Sequence, residues 1–213
     1  MTIDVKICGI TSAAALDAAV SGGASMLGFV FFAKSPRNLN PDEARDLLAR
    51  VPGGVLKVAL LVDPDDSEAR SIGCELSFDL IQLHGLESPA RVAEIKTITG
   101  KPIMKAVGIA SPDDIARAHA YEAVADRILL DAKAPEGAAL PGGNALSFDW
   151  SLISEETWTK PWMLAGGLNA DNLSEAVKTS GAGAVDVSSG VEDAPGRKSV
   201  QKIHEFLKVA ATL

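Results

Sequence analysis

The residues best suited to chemistry in this 213-residue sequence follow a short β-branched run late in the chain. That run ends in Ser188, Ser189 and Gly190, so two hydroxyls and several backbone N–H groups can face one point. Gly166 and Gly167 end the preceding strand-like run in a similar turn. Either turn alone is also typical of an ordinary strand-to-helix connection. Together they predict a phosphate-binding site built from the last two strands.

Two further reactive side chains stand where other strand-like runs end. Cys8 closes the first run; a strand cysteine is usually a small inert hydrophobe, but beside anion-attracting groups it can act as a thiolate base or nucleophile. Asp131 closes an apolar run, which tends to raise a carboxyl pKa and suits a general acid, although a solvated strand-end aspartate or a helix cap fits equally well. Asp63 and Asp186 occupy similar positions, so position alone does not choose among the three aspartates.

Arg37 and His84 follow two other strand-like runs. The planar guanidinium of Arg37 suits a carboxylate or phosphate, but a solvated surface arginine is commoner. His84 is either a ligand contact or a structural histidine. Residues 132–147 are long for such a connection and contain Gly142 and Gly143, which favours a loop that closes over a substrate.

The remaining cysteine, Cys74, is predicted to lie within a helix and to face the core. No grouping of histidine, cysteine and glutamate has metal-ligand spacing, so we expect no metal site.

Eight short apolar runs predict the strands that must position these groups. They are not alternating, as expected for strands buried on both faces, and a helix-like segment follows each. The runs lie near residues 5–8, 27–31, 57–62, 79–83, 103–107, 127–131, 162–165 and 184–187. Serine or asparagine before proline predicts helix starts at Asn40, Ser88 and Ser111, and Ser199 predicts a last one.

This alternation predicts an α/β fold, a (β/α)8 barrel formed by residues 1–213 as a single domain. The alternative is an open doubly wound sheet, which usually carries a glycine fingerprint after its first strand; none follows here.

Composition limits the possible partners. With 47% hydrophobic and 23% charged residues the chain is typical of a soluble globular protein. Its formal net charge of −8 argues against binding nucleic acid or a membrane surface. Two cysteines, and a start without a signal-peptide pattern, predict a cytoplasmic protein.

These motifs together resemble the phosphoribosylanthranilate isomerases of tryptophan biosynthesis. The matching stretches, in chain order, are VKICGIT at 5–11, GFVF at 28–31 with KSPR at 34–37, QLHG at 82–85, LLD at 129–131, GG at 142–143 with FDW at 148–150, LAGGL at 164–168 and DVSSGVE at 186–192.

The resemblance implies an Amadori rearrangement of N-(5-phosphoribosyl)anthranilate to 1-(2-carboxyphenylamino)-1-deoxyribulose 5-phosphate. It implies that Asp131 is the general acid and Cys8 the general base, that Arg37 binds the anthranilate carboxylate, and that no cofactor or metal is needed. It further implies a small phosphosugar substrate as the partner and a monomer or a homodimer. The implied substrate contacts are His84, Gly143, Gly166, Gly167, Ser188, Ser189 and Gly190.

Other readings remain open on the sequence. The related histidine-pathway isomerase resembles a barrel with an aspartate where this chain has Cys8 and with an internal half-repeat, which we do not find. Indole-glycerol-phosphate synthase resembles a longer chain with a catalytic lysine on an early strand. A non-catalytic phosphosugar-binding barrel is the alternative from another class.

One position departs from the family pattern. Ala145 stands where family members commonly have glycine, and if the backbone there needs a positive φ, alanine costs on the order of 1 kcal/mol and alters loop closure.

Overall fold

A computed structural model of the chain describes residues 3–135, 137, 140–143 and 146–213. Eight parallel strands form a closed barrel in which each strand pairs with the next and the last pairs with the first. The strands are β1 Asp4–Cys8, β2 Met26–Phe31, β3 Leu56–Leu61, β4 Leu80–Leu83, β5 Ile103–Ile109, β6 Arg127–Ala132, β7 Trp162–Leu164 and β8 Ala184–Val187. The (β/α)8 prediction is therefore confirmed and the open doubly wound alternative is wrong.

The register at the closure of the barrel positions several polar groups. Lys6 on β1 is opposite Asp186 on β8, and Ile7 is opposite Val187. One residue further on, the hydroxyl of Ser188 donates to the backbone carbonyl of Cys8 at 3.1 Å. The first and last strands therefore deliver a cysteine, a lysine, an aspartate and a serine to one sector of the barrel mouth.

The core has two layers, one inside the barrel and one between the barrel and its helices. The inner layer is filled largely by methionine, leucine, valine and alanine, among them Met26, Val58 and Leu129. Because both faces of each strand are covered, the strands read as continuous apolar runs. The polar exceptions, Lys6 and Gln82, have no exposed surface and lie on β1 and β4.

Among the described residues seven helices pack around the barrel, and several begin as the sequence predicts. They are α1 Ala13–Ser21, α2 Pro41–Leu48, α3 Asp66–Glu75, α4 Pro89–Thr99, α5 Pro112–His119, α6 Leu173–Ser180 and α7 Val200–Ala210. Asn40 forms a full capping box with Glu43, and Ser88 accepts a bond from the Arg91 N–H. Ser111 and Ser199 occupy N-cap positions, but their side chains make no capping hydrogen bond.

The structure differs from the sequence prediction at two elements. The described residues between β6 and β7 contain only a short 3₁₀ turn, Trp150–Ile153, where a helix was expected. A two-stranded antiparallel hairpin, β9 Glu192–Ala194 with β10 Arg197–Lys198, also follows β8 and was not foreseen. Within the described residues, no helix has the length and apolar character needed to cross a membrane.

Cys74 is a third correction. It is exposed near the C-terminal end of α3, and its thiol lies 3.6 Å from the carbonyl of Ile98. Its neighbours Ile72 and Leu76 are the buried residues of that segment.

Candidate active site

The mouth of the barrel, at the carboxyl ends of the strands, holds one cavity that collects most of the predicted site residues. Gly190 is the exception: it packs against the loop after β7, where a side chain would collide with the Leu168 carbonyl. Nine of the ten predicted residues line the cavity: Cys8, Arg37, His84, Asp131, Gly143, Gly166, Gly167, Ser188 and Ser189.

Cys8 ends β1 and is only 4% exposed. Burial raises the pKa of its thiol above the usual value, while Lys6 and Lys198 act in the opposite direction. In the free protein, desolvation of the buried thiol outweighs these cations.

Lys6 lies beside Cys8 on the inside of the barrel. Its ammonium donates to Asp186 Oδ1 at 2.8 Å. Burial works against the charge of Lys6, yet Asp186 and Cys8 together hold its pKa above the usual value. A Cβ on Gly28 would stand 2.8 Å from Cys8 Sγ and 3.1 Å from Lys6 Nζ, so a glycine is required for both to fit.

Asp131 lies near the end of β6 and is 6% exposed. Its Oδ1 accepts from the Ala132 N–H at 2.8 Å, and its Oδ2 lies 3.1 Å from His84 Nε2. Gly142 and Gly166 cover it closely: their missing Cβ atoms would lie 2.6 Å from Oδ2 and 3.1 Å from Oδ1. One carboxylate oxygen is thus held by the backbone and the other by an imidazole.

The three candidate strand-end aspartates separate in the structure. Asp131 and Asp186 line the cavity. Asp63 instead accepts from the Leu86 N–H at 2.6 Å and packs against Gly85, outside the cavity. Its backbone has φ +47, a left-handed conformation at a tight turn. Asp63 therefore joins the loop after β3 to the loop after β4, which is a structural role.

The turns after β7 and β8, where the sequence predicts a phosphate site, both line the cavity. Gly166 and Gly167 have φ of +88 and +64, which lets the backbone turn toward the cavity. After β8 the chain makes only a three-residue 3₁₀ turn, Ser189–Val191, so no regular helix adds its dipole there. Lys198 on β10 braces this turn from behind, donating to the carbonyl and hydroxyl of Ser188 at 2.9 and 3.2 Å.

Arg37 is buried, so the alternative of a solvated arginine is wrong. Its Nε and Nη2 form a bidentate pair with Glu192 at 2.7 and 2.9 Å. Its Nη1 faces Gly143, whose missing Cβ would stand 2.8 Å away. Although burial opposes the charge of Glu192, Arg37 and Lys198 hold its pKa below the usual value. The guanidinium is thus fixed at the cavity wall, with Nη1 directed toward the loop after β6.

Polar residues that contact the cavity lining from outside it were not singled out from the sequence, among them Lys6, Gln82, Glu192 and Lys198. Lys6 and Gln82 each interrupt an apolar strand, and a buried polar residue in such a run is a usable signal. Glu192 and Lys198 lie on the short hairpin after β8, for which the sequence offers no clear pattern.

The loop after β6 contributes Leu140, Pro141, Gly142 and Gly143 to the cavity wall. Ala145, where the sequence departs from the family pattern, lies outside the described residues. No cluster of three or more histidine, cysteine or acidic side chains within the described part of the chain could hold a metal ion.

Comparison with known proteins gives a consistent picture. The family profile described as N-(5'phosphoribosyl)anthranilate (PRA) isomerase matches residues 5–209. The N-(5'-phosphoribosyl)anthranilate isomerase of Paramagnetospirillum magneticum is 53% identical over 210 residues, covering 99% of this chain and 98% of the relative.

Solved structures agree with this. The crystal structure of phosphoribosyl anthranilate isomerase from Thermotoga maritima has TM-score 0.89 at 36% identity, covering 99% of this chain and 100% of that one. A phosphoribosyl anthranilate isomerase in complex with reduced 1-(o-carboxyphenylamino)-1-deoxyribulose 5-phosphate has TM-score 0.84 at 33% identity, with the same coverage.

Proposed function

The chain belongs to the family of N-(5'-phosphoribosyl)anthranilate isomerases, and we propose that Cys8 and Asp131 carry out the family's reaction in it. The enzyme isomerises N-(5-phosphoribosyl)anthranilate, an aldosylamine, to the aminoketose 1-(2-carboxyphenylamino)-1-deoxyribulose 5-phosphate in tryptophan biosynthesis. The observation that carries the assignment of roles is that a buried thiol and a buried carboxyl group line one cavity together with the glycine and serine turns.

In the first step Asp131 acts as the general acid. It gives its proton to the furanose ring oxygen while the bond from that oxygen to C1 breaks. The nitrogen lone pair forms a C=N bond to C1, which leaves an open-chain iminium ion and the Asp131 carboxylate. The 3.1 Å contact with His84 and the bond from the Ala132 N–H support a carboxyl group held in one orientation.

In the second step Cys8 acts as the general base at C2. Its thiolate takes the C2 proton, the C–H electron pair becomes the C1=C2 bond of an enolamine, and the C=N electrons return to nitrogen. The enolamine then tautomerises to the ketone. The iminium charge acidifies the C2 proton, and the positively charged Lys6 lowers the cost of forming a thiolate in this buried place.

The rest of the cavity suits the two ends of the substrate. We assign the phosphate to the turns at Gly166, Gly167, Ser188 and Ser189, with Gly190 shaping the second turn. Arg37 offers Nη1, the nitrogen that faces Gly143, to the anthranilate carboxylate, and His84 and Gly143 lie within the same wall. Apolar side chains of that wall can pack against the aromatic ring: Val30, Phe32, Leu60 and Val62.

We further propose that the enzyme works as a monomer or a homodimer in the cytoplasm and binds no nucleic acid. The net charge of −8 supports the last point, because a polyanion would be repelled.

The reaction is tested with purified protein and freshly generated phosphoribosylanthranilate. We expect the anthranilate-type fluorescence to fall and the aminoketose to form in proportion to enzyme. Binding of phosphosugars without turnover would instead support the non-catalytic phosphosugar-binding barrel.

A further inference from the structure

Three side chains form a continuous line that ends at the proposed general acid. Gln82 on β4 has no exposed surface, and its Nε2 lies 3.1 Å from His84 Nδ1. The other ring nitrogen of His84, Nε2, lies 3.1 Å from Asp131 Oδ2. The protonation state of Asp131 is therefore connected to the orientation of a buried amide.

The number of protons on the His84–Asp131 pair determines whether Gln82 must donate a hydrogen bond to His84 or accept one from it. When the His84–Asp131 pair carries no extra proton, the carboxylate accepts from Nε2–H, so Nδ1 bears a lone pair and requires an amide N–H. When the pair gains one proton, either Asp131 donates O–H to Nε2 or both ring nitrogens carry hydrogen. In both of these forms Nδ1–H must find an acceptor, which is the amide oxygen of Gln82.

The surroundings of Gln82 leave its amide free to respond. Its Oε1 is buried and has no hydrogen-bond partner among the described residues. No competing bond to that oxygen therefore opposes a half-turn about the last side-chain bond. Since the two ends of an amide have nearly the same shape, His84 decides which end faces it.

Other charged groups around the pair are mostly engaged elsewhere. Arg37 is paired with Glu192, Lys133 with Asp114 at 2.9 Å, and Asp186 with Lys6. The Gly85 backbone next to His84 is fixed from behind by the Glu87–Lys105 pair and by Asp63. Cys8 is the remaining titratable group on the cavity wall. When the His84–Asp131 pair takes up a proton, we therefore expect the Gln82 amide to change its orientation.

We propose that Gln82 is a positioning residue whose amide turns by half a rotation each time the His84–Asp131 pair gains or loses the proton used in catalysis. The proposal deepens the proposed function, because the proton in question is the one that Asp131 delivers to the ring oxygen. Each turnover returns the amide to its starting orientation when the pair is reprotonated.

The test is a pH titration of the free protein labelled with 15N in its histidine rings, followed by long-range 15N–1H NMR. The chain has three histidines, and a His84→Gln variant identifies the signals of His84. We expect His84 to be the Nε2–H tautomer on the alkaline side and to gain hydrogen on Nδ1 as the pair takes up its proton. A ring that remains Nε2–H, without hydrogen on Nδ1, while the Asp131 carboxyl carbon titrates would overturn the proposal.

A Gln82→Glu variant provides the second arm. A carboxylate only accepts, and its charge favours the protonated pair, so Nδ1 should hold its hydrogen to a pH higher by about one unit or more. The matched control is Gln201→Glu, the same change on the exposed face of α7, which should leave the titration of His84 unchanged. A Gln82→Glu titration identical to wild type would contradict the proposal.

This design separates the amide's role from the proposed reaction. The tautomer is measured without substrate, so an inactive protein could still show the switch. Conversely, an active enzyme with a fixed Nε2–H tautomer would keep its function and lose this inference. The pH profile of kcat gives an independent readout: since the acid must be protonated, Gln82→Glu should move the alkaline limb to higher pH.

Discussion

At the scale of single residues, the proposed mechanism pairs a carboxyl group that must donate a proton with a thiol that must accept one. Apolar burial alone would keep both groups neutral, so the environments must differ. Asp131 has an imidazole at 3.1 Å, whereas Cys8 has the Lys6 ammonium nearby. The cations beside Cys8 do not overcome burial in the free protein, but they set how much of the thiolate can form during turnover.

Lys6 is the residue whose charge most favours the Cys8 thiolate. We expect Lys6→Met combined with Asp186→Asn, which avoids a buried unpaired carboxylate, to raise the pKa of the thiol further. Since the base acts only when deprotonated, the acidic limb of the kcat/KM profile should move to higher pH. The pH dependence of Cys8 alkylation by iodoacetamide, in a Cys74→Ala background, checks this directly. An unchanged pH dependence of Cys8 alkylation would contradict a role for Lys6 in favouring the thiolate.

Arg37 provides a second prediction at this scale. Lysine cannot reproduce the bidentate bond to Glu192 while still presenting an amino group to the substrate. We expect Arg37→Lys to raise KM by roughly tenfold or more, the value of one charge-assisted hydrogen bond, with a smaller change in kcat. The control is Arg50→Lys, an exposed arginine paired with exposed Asp17, whose KM should equal that of wild type. Equal KM values for both variants would count against Arg37 as a substrate contact.

At the scale of elements, the strands deliver the reactive groups and the loops close around them. Glycines make this closeness possible: at Gly142 a side chain would stand 2.6 Å from Asp131 Oδ2 and 2.8 Å from His84 Nε2. The loop after β6 therefore approaches the proposed acid more closely than any larger residue allows.

We expect Gly142→Ala to reduce kcat by on the order of 10²-fold, because the added methyl group displaces the acid or its histidine. Its backbone φ is not positive, so alanine itself is not strained there. Gly53→Ala is the matched control, since its Cβ would meet nothing within 4 Å. Steady-state kinetics and thermal unfolding of both variants decide the matter: a kcat unchanged by Gly142→Ala would contradict the proposed arrangement.

The elements that could be foreseen from the sequence are those with a long periodic pattern or a distinct start signal. All eight barrel strands are found at the predicted positions, because strands buried on both faces leave continuous apolar runs. Two features could not be foreseen: the lack of a helix among the described residues between β6 and β7, and the very short hairpin β9–β10. The pairing of Arg37 with Glu192 joins positions 155 residues apart, and no local pattern encodes it.

At the scale of the whole molecule, the pH dependence of stability follows from carboxylates that are bound to cations or N–H groups. For four of these carboxyl groups burial opposes ionisation, but the cations and N–H donors hold their pKa values below the usual range. They are Asp114, Glu122, Asp126 and Glu192.

The unfolded chain therefore takes up protons at a higher pH than the folded one. We expect these carboxylates to make their full contribution to the free energy of unfolding above about pH 5. That contribution should fall as the pH drops through the pKa values of the folded protein. Denaturant unfolding at a series of pH values measures this. Glu122→Gln should flatten the dependence, because Glu122 accepts from Thr159 and Lys160, whereas exposed Glu155→Gln should not.

In the proposed mechanism, Asp131 gives the proton that opens the ring and Cys8 takes the proton from C2. The most direct measurement compares kcat of wild type with Asp131→Asn and Cys8→Ala, using Asp63→Asn and Cys74→Ala as controls of the same chemistry outside the cavity. We expect kcat to fall by roughly 10²-fold or more in Asp131→Asn and in Cys8→Ala, and to stay close to the wild-type value in the two controls. Wild-type turnover by Asp131→Asn or Cys8→Ala would contradict it.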